Sequence, residues 1–305
     1  MNNMSSSSST RHSFWRYLTA TLFWFYAVLL PGSIVLVALD RVPTWGLGFG
    51  GVLLVLQGGA MLAWMAWGYG RAGLAAALLV LALGFGVEYL GETSGVPFGR
   101  YRYTEQLQPQ LLGVVPLPIT MAWLMSSTAA YEIARQIAPG RGRTLQLLAA
   151  ATLILLLDLQ IETVATQINR YWEWIDHGPY YGVPTANFVA WWCVGLIMSW
   201  ALGALLGTRK PAAQAAAYRP SDRWLQRHLP PWGWLRRAAQ RYRAHEIWLF
   251  HALPLLLYTL STVMFTIVNA ARGYLAASAI GLLVLVALSA LAVGEWRRSA
   301  RRSGG

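Results

Sequence analysis

Apolar positions in this chain come in long runs rather than in periodic stripes. Eight stretches of about 20 predominantly apolar residues follow one another, roughly 17–39, 46–67, 72–91, 114–135, 144–165, 185–206, 247–269 and 274–293. As a helix, each is long enough to cross a hydrocarbon layer of about 30 Å. A membrane barrel would instead show short segments of alternating polarity, and the sequence has none of that form. The pattern predicts an all-α, polytopic helical membrane protein with about eight transmembrane helices. Helices 1–6 occupy residues 17–206 and helices 7–8 occupy 247–294, with a polar segment at 207–246 between them. The Ser-rich start, residues 1–16, is expected to be disordered. The first apolar run is too long for a signal-peptide core and is expected to be retained.

Composition agrees: 56% of the 305 residues are hydrophobic and 12% are charged. The net charge of +12 suggests a nucleic-acid partner until the charges are placed on the chain. With the N-terminus inside, only Arg41, Arg100, Arg102, Arg170 and Arg272 of the 24 Lys and Arg fall outside. Basic residues gather on the cytoplasmic side of such proteins. The expectation is therefore a multi-pass cell-membrane protein with both termini cytoplasmic and no nucleic-acid partner. The basic segment 207–246 is expected on the anionic inner leaflet, and the tail 295–305 is also basic.

One cysteine, Cys193, excludes an intrachain disulfide framework and a Cys-based metal site. The five histidines are scattered, so a clustered-imidazole di-iron centre is not expected. There is no GxGxxG, P-loop or HExxH motif. No metal and no cofactor is expected.

The chain has only twelve acidic residues, and four of them form two i, i+4 pairs: Glu88 with Glu92, and Asp158 with Glu162. That spacing puts both members of a pair on one helix face, about 6 Å apart. The third and fifth spans run in the same direction, so both pairs fall at similar depth in the outer half of the bilayer. Acids inside a membrane are costly and mark functional sites by default. Two loops follow the pairs, at 91–118 and 169–188. Both carry a GVP tripeptide beside aromatics: Phe98, Tyr101 and Tyr103 in one, Trp172, Trp174, Tyr180 and Tyr181 in the other. Their Gly and Pro content predicts structured turns. Such aromatics also occur as an interfacial belt.

An apolar chamber with several carboxyls and an aromatic lid suits acid-initiated alkene chemistry. Burial and a like-charged neighbour keep one carboxyl protonated while its partner stays ionised. The acid protonates a carbon–carbon double bond, aromatic faces steady the cation, and water activated by the second carboxylate adds. An apolar alkene arriving from the lipid phase is the natural substrate.

The segments "GVPFGRYRY", "GVVPLPITMAW" and "DLQIETVATQINRYWEWIDHGPYYGVPTANFVAWW" resemble the carotenoid biosynthesis membrane family that contains the CruF-type carotenoid 1′,2′-hydratases. The resemblance spans about residues 88–192. It implies hydration of the terminal C1′–C2′ double bond of an acyclic ψ end group, as in lycopene or γ-carotene. It places the acidic pattern on Asp158 and Glu162 and the loop motifs on 97–103 and 172–187. Glu162-Thr163 stands where the family pattern has Asp-Pro, and Ala190 where it often has Gly. Among the acids Asp158 is the deeper and is assigned as acid, with Glu162 as base; Glu88 and Glu92 can share or exchange those roles. Phe98, Tyr101, Tyr103, Trp172, Trp174, Tyr180 and Tyr181 are the expected cradle, with Asn169 and Asn187 orienting water. Contact with other enzymes of the pathway is also expected. Two other classes fit the intramembrane acids: a non-catalytic carotenoid or lipid binder, and a proton-coupled transporter. A Mg²⁺-dependent prenyltransferase fits poorly, because Asp158-x₃-Glu162 is sparser than its Asp-rich motifs.

Overall fold

The computed structural model describes residues 4–138, 140–209 and 233–303. The long helices are α1 (Met4–Ala38), α2 (Phe49–Ser94), α3 (Leu117–Ile137), α4 (Arg143–Glu162), α5 (Thr185–Leu206), α6 (Gly233–Ala271) and α7 (Leu275–Ser303). Four short strands, β1 (Tyr101–Tyr103), β2 (Gln110–Leu111), β3 (Val115–Pro116) and β4 (Trp172–Trp174), lie in the loops between them. The chain is an all-α membrane protein. Helix α1 starts at Met4, inside the stretch expected to be disordered. Of the basic segment 207–246, residues 210–232 lie outside the described residues.

Among the described residues, five helical stretches are long and apolar enough to cross a membrane by length and composition. The sequence predicts about eight crossings, and three features account for the difference, one being that the apolar part of α7, Leu275–Leu291, is a shorter helix. Residues 44–94 count as a single stretch of 51 residues, but at about 1.5 Å per residue that is more than twice a membrane thickness. The helix breaks at Gly70, with φ 61° and ψ −135°, a region open to glycine and closed to ordinary side chains. Gly58 packs on Met121 and Gly84 packs on Trp123. Two positions 26 residues apart therefore meet the same turn of α3, so the halves of α2 run back past each other as a hairpin. The second feature is α3 itself, which carries buried Ser126, Ser127, Thr128 and Glu132. These lower its hydropathy at no cost because it packs against α2, α4, α5 and α6 rather than lipid.

The bend of the hairpin is tied down by charge. The Tyr69 hydroxyl donates to Glu132 Oε1 at 2.5 Å, and Arg135 donates to the same oxygen at 3.2 Å. Arg135 also reaches the Arg209 carbonyl at 2.6 Å, joining α3 to the end of α5. Glu132 is buried beside Arg135, because a hydroxyl and a guanidinium replace its water.

Pro116 caps α3, with Pro118 in its first turn, where no donor is lost. Beyond Glu162 the chain makes a π-helical turn, Thr163–Ile168, closed by the Asn169 N–H donating to the Val164 carbonyl at 2.8 Å. Such wider turns recur at functional sites. This one carries the chain from α4 into the loop that holds β4.

Candidate functional site

Over one end of the bundle the two aromatic loops join as a small antiparallel ribbon. Strand β1 pairs with β4 in the register Tyr101–Trp174, Arg102–Glu173 and Tyr103–Trp172. Side chains alternate across a strand, so the four aromatics point inward while Arg102 and Glu173 face out. The Tyr101 and Trp174 rings lie 5.1 Å apart, and those of Tyr103 and Trp172 6.1 Å. Asp176 fastens the ribbon edge by accepting from the Arg100 backbone N–H and from its guanidinium, all at 2.8–3.0 Å. Those hydrogen bonds hold the exposed Asp176 carboxyl below the usual carboxylate range, so the latch is in place at neutral pH. Gly91 is needed beneath the lid: a Cβ there would lie 2.7 Å from the Phe98 ring and 2.8 Å from the Tyr101 hydroxyl.

The inward tips of the ribbon hold two carboxylates. Glu88, from the second half of α2, accepts from the Tyr101 and Tyr103 hydroxyls through Oε2, both at 2.6 Å. Its Oε1 accepts from Trp123 Nε1 at 2.7 Å. Glu162, at the end of α4, accepts through Oε2 from Trp174 Nε1 at 3.0 Å and Trp172 Nε1 at 3.3 Å. Its Oε1 accepts from Asn187 Nδ2 at 3.0 Å. The same Asn187 amide donates to Asp158 Oδ2 at 3.1 Å. Asp158 Oδ1 is buried and finds no partner.

Glu88 and Glu162 face one cavity of about 100 Å³. Tyr101, Tyr103, Tyr171, Trp172, Trp174 and Trp191 supply its aromatic wall, and Leu53, Ile119, Met125, Leu157, Met264 and Phe265 are among its apolar lining. Typical sites for drug-sized ligands run to about 300–1,000 Å³, so this cavity suits the end of a chain molecule rather than a whole one.

Several residues expected at the site are therefore together: Glu88, Glu162, Tyr101, Tyr103, Trp172, Trp174, Asn169 and Asn187 all line the cavity. Others stand back from it. Asp158 is fully buried behind Asn187 and is not among the lining residues. Glu92 is half-buried, one helical turn beyond Glu88 towards the loop, and also does not line it. Phe98 supports Tyr101 edge-on, with ring centroids 6.2 Å apart. Tyr180 donates to the Leu159 carbonyl at 2.8 Å, and the Tyr181 hydroxyl accepts from the Ala276 N–H at 3.2 Å. Those two tyrosines join the second loop to α4 and α7. Asn187 donates its NH₂ to two carboxyls and so clamps them together.

Two tryptophans were not foreseen. Trp191 lines the cavity and stacks on Trp123 at 3.9 Å with an interplanar angle of 18°. Trp123 in turn holds Glu88. Both fall within segments that carry the family resemblance, but aromatics in apolar runs are explained equally well by the lipid interface.

The profile of the family described as "Carotenoid biosynthesis protein" matches residues 49–222. The chain is 32% identical over 130 residues to a bisanhydrobacterioruberin hydratase of Haloarcula japonica. That alignment covers 42% of this chain and 43% of the relative, less than half of either. No solved structure matches the chain. The family match contains both cavity-facing glutamates, the ribbon above them and the Asn187 clamp. The chain belongs to the carotenoid biosynthesis protein family.

Proposed function

We propose that this protein is a carotenoid hydratase that adds water across the terminal C1′–C2′ double bond of an acyclic ψ end group, of lycopene or γ-carotene type. The observation that carries the reading is the pair of cavity-facing glutamates, each fully supplied with donors and set among aromatic rings in an apolar chamber. The substrate enters from the lipid phase with one end, and its polyene stays in the membrane. The site faces the outer half of a cell membrane, with both termini cytoplasmic, an orientation that the distribution of basic residues supports. The relative's printed name, a hydratase, supports the same reaction class.

The donor pattern divides the roles. Glu162 meets only N–H groups, which donate and never accept. It is therefore the carboxylate and acts as base. Glu88 Oε2 meets two tyrosine hydroxyls, which also accept. It can carry a proton and deliver it, so it is the acid at the cavity wall. Asp158 stands behind Glu162 and shares Asn187 with it, positioning the base rather than touching the alkene.

The reaction then balances. Glu88 gives its proton to C2′, and the π electrons form the new C–H bond, leaving a tertiary cation at C1′. The faces of Trp191 and the ribbon aromatics stabilise it. Water attacks C1′ as Glu162 removes one of its protons, giving the tertiary alcohol. Return of that proton to Glu88 restores the site. The added H and OH together make one water over the full cycle, so no electron acceptor is consumed.

In membranes supplied with an acyclic carotenoid and ¹⁸O-labelled water, the product is expected to carry one ¹⁸O per hydrated end, read by mass spectrometry. Label arriving from ¹⁸O₂ instead would reject hydration in favour of oxygenation. Binding without any product would favour a carotenoid-binding role. A desolvated cation–π contact is worth about 2 kcal/mol. Trp191→Leu is therefore expected to slow turnover about 30-fold at unchanged carotenoid affinity, while Trp191→Phe keeps most of the rate. Equal rates in the two variants would remove Trp191 from the cradle.

A further inference from the structure

Away from the carboxyls, the cavity wall carries a second polar group in the membrane-spanning part of the bundle. Gln57 of α2 and Ser261 of α6 both line the cavity, and both are buried. Their one mutual contact is long: the Ser261 hydroxyl donates to Gln57 Oε1 at 3.4 Å. Tyr26 of α1 is fully buried against the same two residues. Among the described residues its hydroxyl completes no hydrogen bond of good geometry, and Ser261 and Gln57 are its polar neighbours. Neighbouring hydroxyls on α6 behave differently: Thr262 and Thr266 satisfy themselves on the carbonyl four residues back, at 2.9 and 2.6 Å. Ser261 instead turns towards Gln57.

Polar side chains between membrane helices often serve as packing glue, joined by short mutual hydrogen bonds. This cluster lacks them. An unsatisfied buried hydroxyl costs about 1–3 kcal/mol. Three helices bring an amide and two hydroxyls together with one long hydrogen bond among them and the Tyr26 hydroxyl left without a partner, and two of the three groups border the cavity.

We propose that Gln57, Ser261 and Tyr26 form a subsite for one hydroxyl oxygen. An sp³ oxygen with one or two hydrogens matches the set: the Gln57 amide N–H and the Tyr26 hydroxyl donate to its two lone pairs, and Ser261 Oγ or Gln57 Oε1 accepts from it. A carboxylate does not fit, because the cluster contains no cation. The oxygen has two sources of the same chemistry, a resident water or an alcohol borne on the carotenoid chain. In the first case the subsite stores water in an otherwise apolar chamber. In the second it selects end groups that carry a hydroxyl away from the reacting double bond. Both cases rest on the hydratase reading for their catalytic consequence, but not for binding.

The test compares full-length wild type, Gln57→Leu, Ser261→Ala and Tyr26→Phe in lipid nanodiscs. The probes are two carotenoids of equal length, one a hydrocarbon and one with a single tertiary alcohol, titrated by quenching of tryptophan fluorescence and assayed for hydration. Tyr26→Phe removes one oxygen and guards against a folding artefact in the other two. If the oxygen belongs to the carotenoid, the variants bind the alcohol about 5- to 10-fold more weakly, the worth of one lost hydrogen bond, and bind the hydrocarbon as before. If it is water, both affinities hold and hydration of both probes slows about 5- to 10-fold. Unchanged affinities and rates in all three variants overturn the subsite. A wild type that binds both probes and hydrates neither overturns the hydratase reading instead, and the affinity comparison then decides the subsite alone.

Discussion

Glu88→Gln is expected to lower the hydration rate by about 10²–10⁴-fold, the usual contribution of a positioned general acid or base, with carotenoid binding retained. The substitution isolates the proton. Glutamine keeps the shape, and its carbonyl oxygen can still accept from Trp123 Nε1. Its NH₂ then faces the Tyr101 and Tyr103 hydroxyls, which accept as readily as they donate. The ribbon therefore keeps its anchor, and the loss falls on chemistry. Glu162→Gln is expected to cost as much rate and to disturb the fold as well. Every group around Glu162 is an N–H donor, so whichever way the amide turns, its NH₂ meets another donor. Such a mismatch costs about 1–3 kcal/mol. Product analysis in a host that makes acyclic carotenoids, with protein levels and bound pigment measured in parallel, separates the two effects. Wild-type turnover by Glu88→Gln would remove Glu88 from the reaction.

Gly58→Val is expected to prevent assembly of the bundle. A Cβ at Gly58 would sit 2.5 Å from the Met121 Cβ and 2.7 Å from its carbonyl oxygen. The second of these is backbone of the central helix and cannot move aside as a side-chain tip would. Overpacking of this kind costs about 1–3 kcal/mol and sometimes more. Here it would also push α2 from α3, the helix whose Trp123 positions Glu88. Gly86→Ala is the control, since its Cβ would meet nothing within 4 Å. Thermal unfolding in detergent should show Gly58→Val with a much lower midpoint or no folded fraction, and Gly86→Ala at or above wild type. A Gly58→Val protein as stable as wild type would contradict the close approach of α2 and α3.

Much of the site was legible because membrane burial makes acids informative. Glu88, Asp158 and Glu162 stood out as carboxyls in apolar runs, and the loops beside them alternated aromatic and polar residues. The YRY and WEW triplets carry the period of a strand, although Gly and Pro around them read only as turns. Chain order could not show that the two triplets pair with each other, since that contact joins residues about 70 positions apart.

Other features had no local signal. The i, i+4 rule places Glu88 beside Glu92 and Asp158 beside Glu162, yet only one member of each pair reaches the cavity. Which one depends on where the ribbon and α5 lie, and the helix period does not specify that. Trp123 and Trp191 were indistinguishable from interfacial aromatics until α3 and α5 stacked them. The polarity of α3 lowered its apparent membrane character, because hydropathy counts composition and not neighbours. The sequence by itself determined the solvent: its apolar runs require a bilayer, and an acid in such a run requires a partner. Only the tertiary structure decided the partners, because hydrogen bonds and ring contacts depend on the distance between helices that are far apart along the chain.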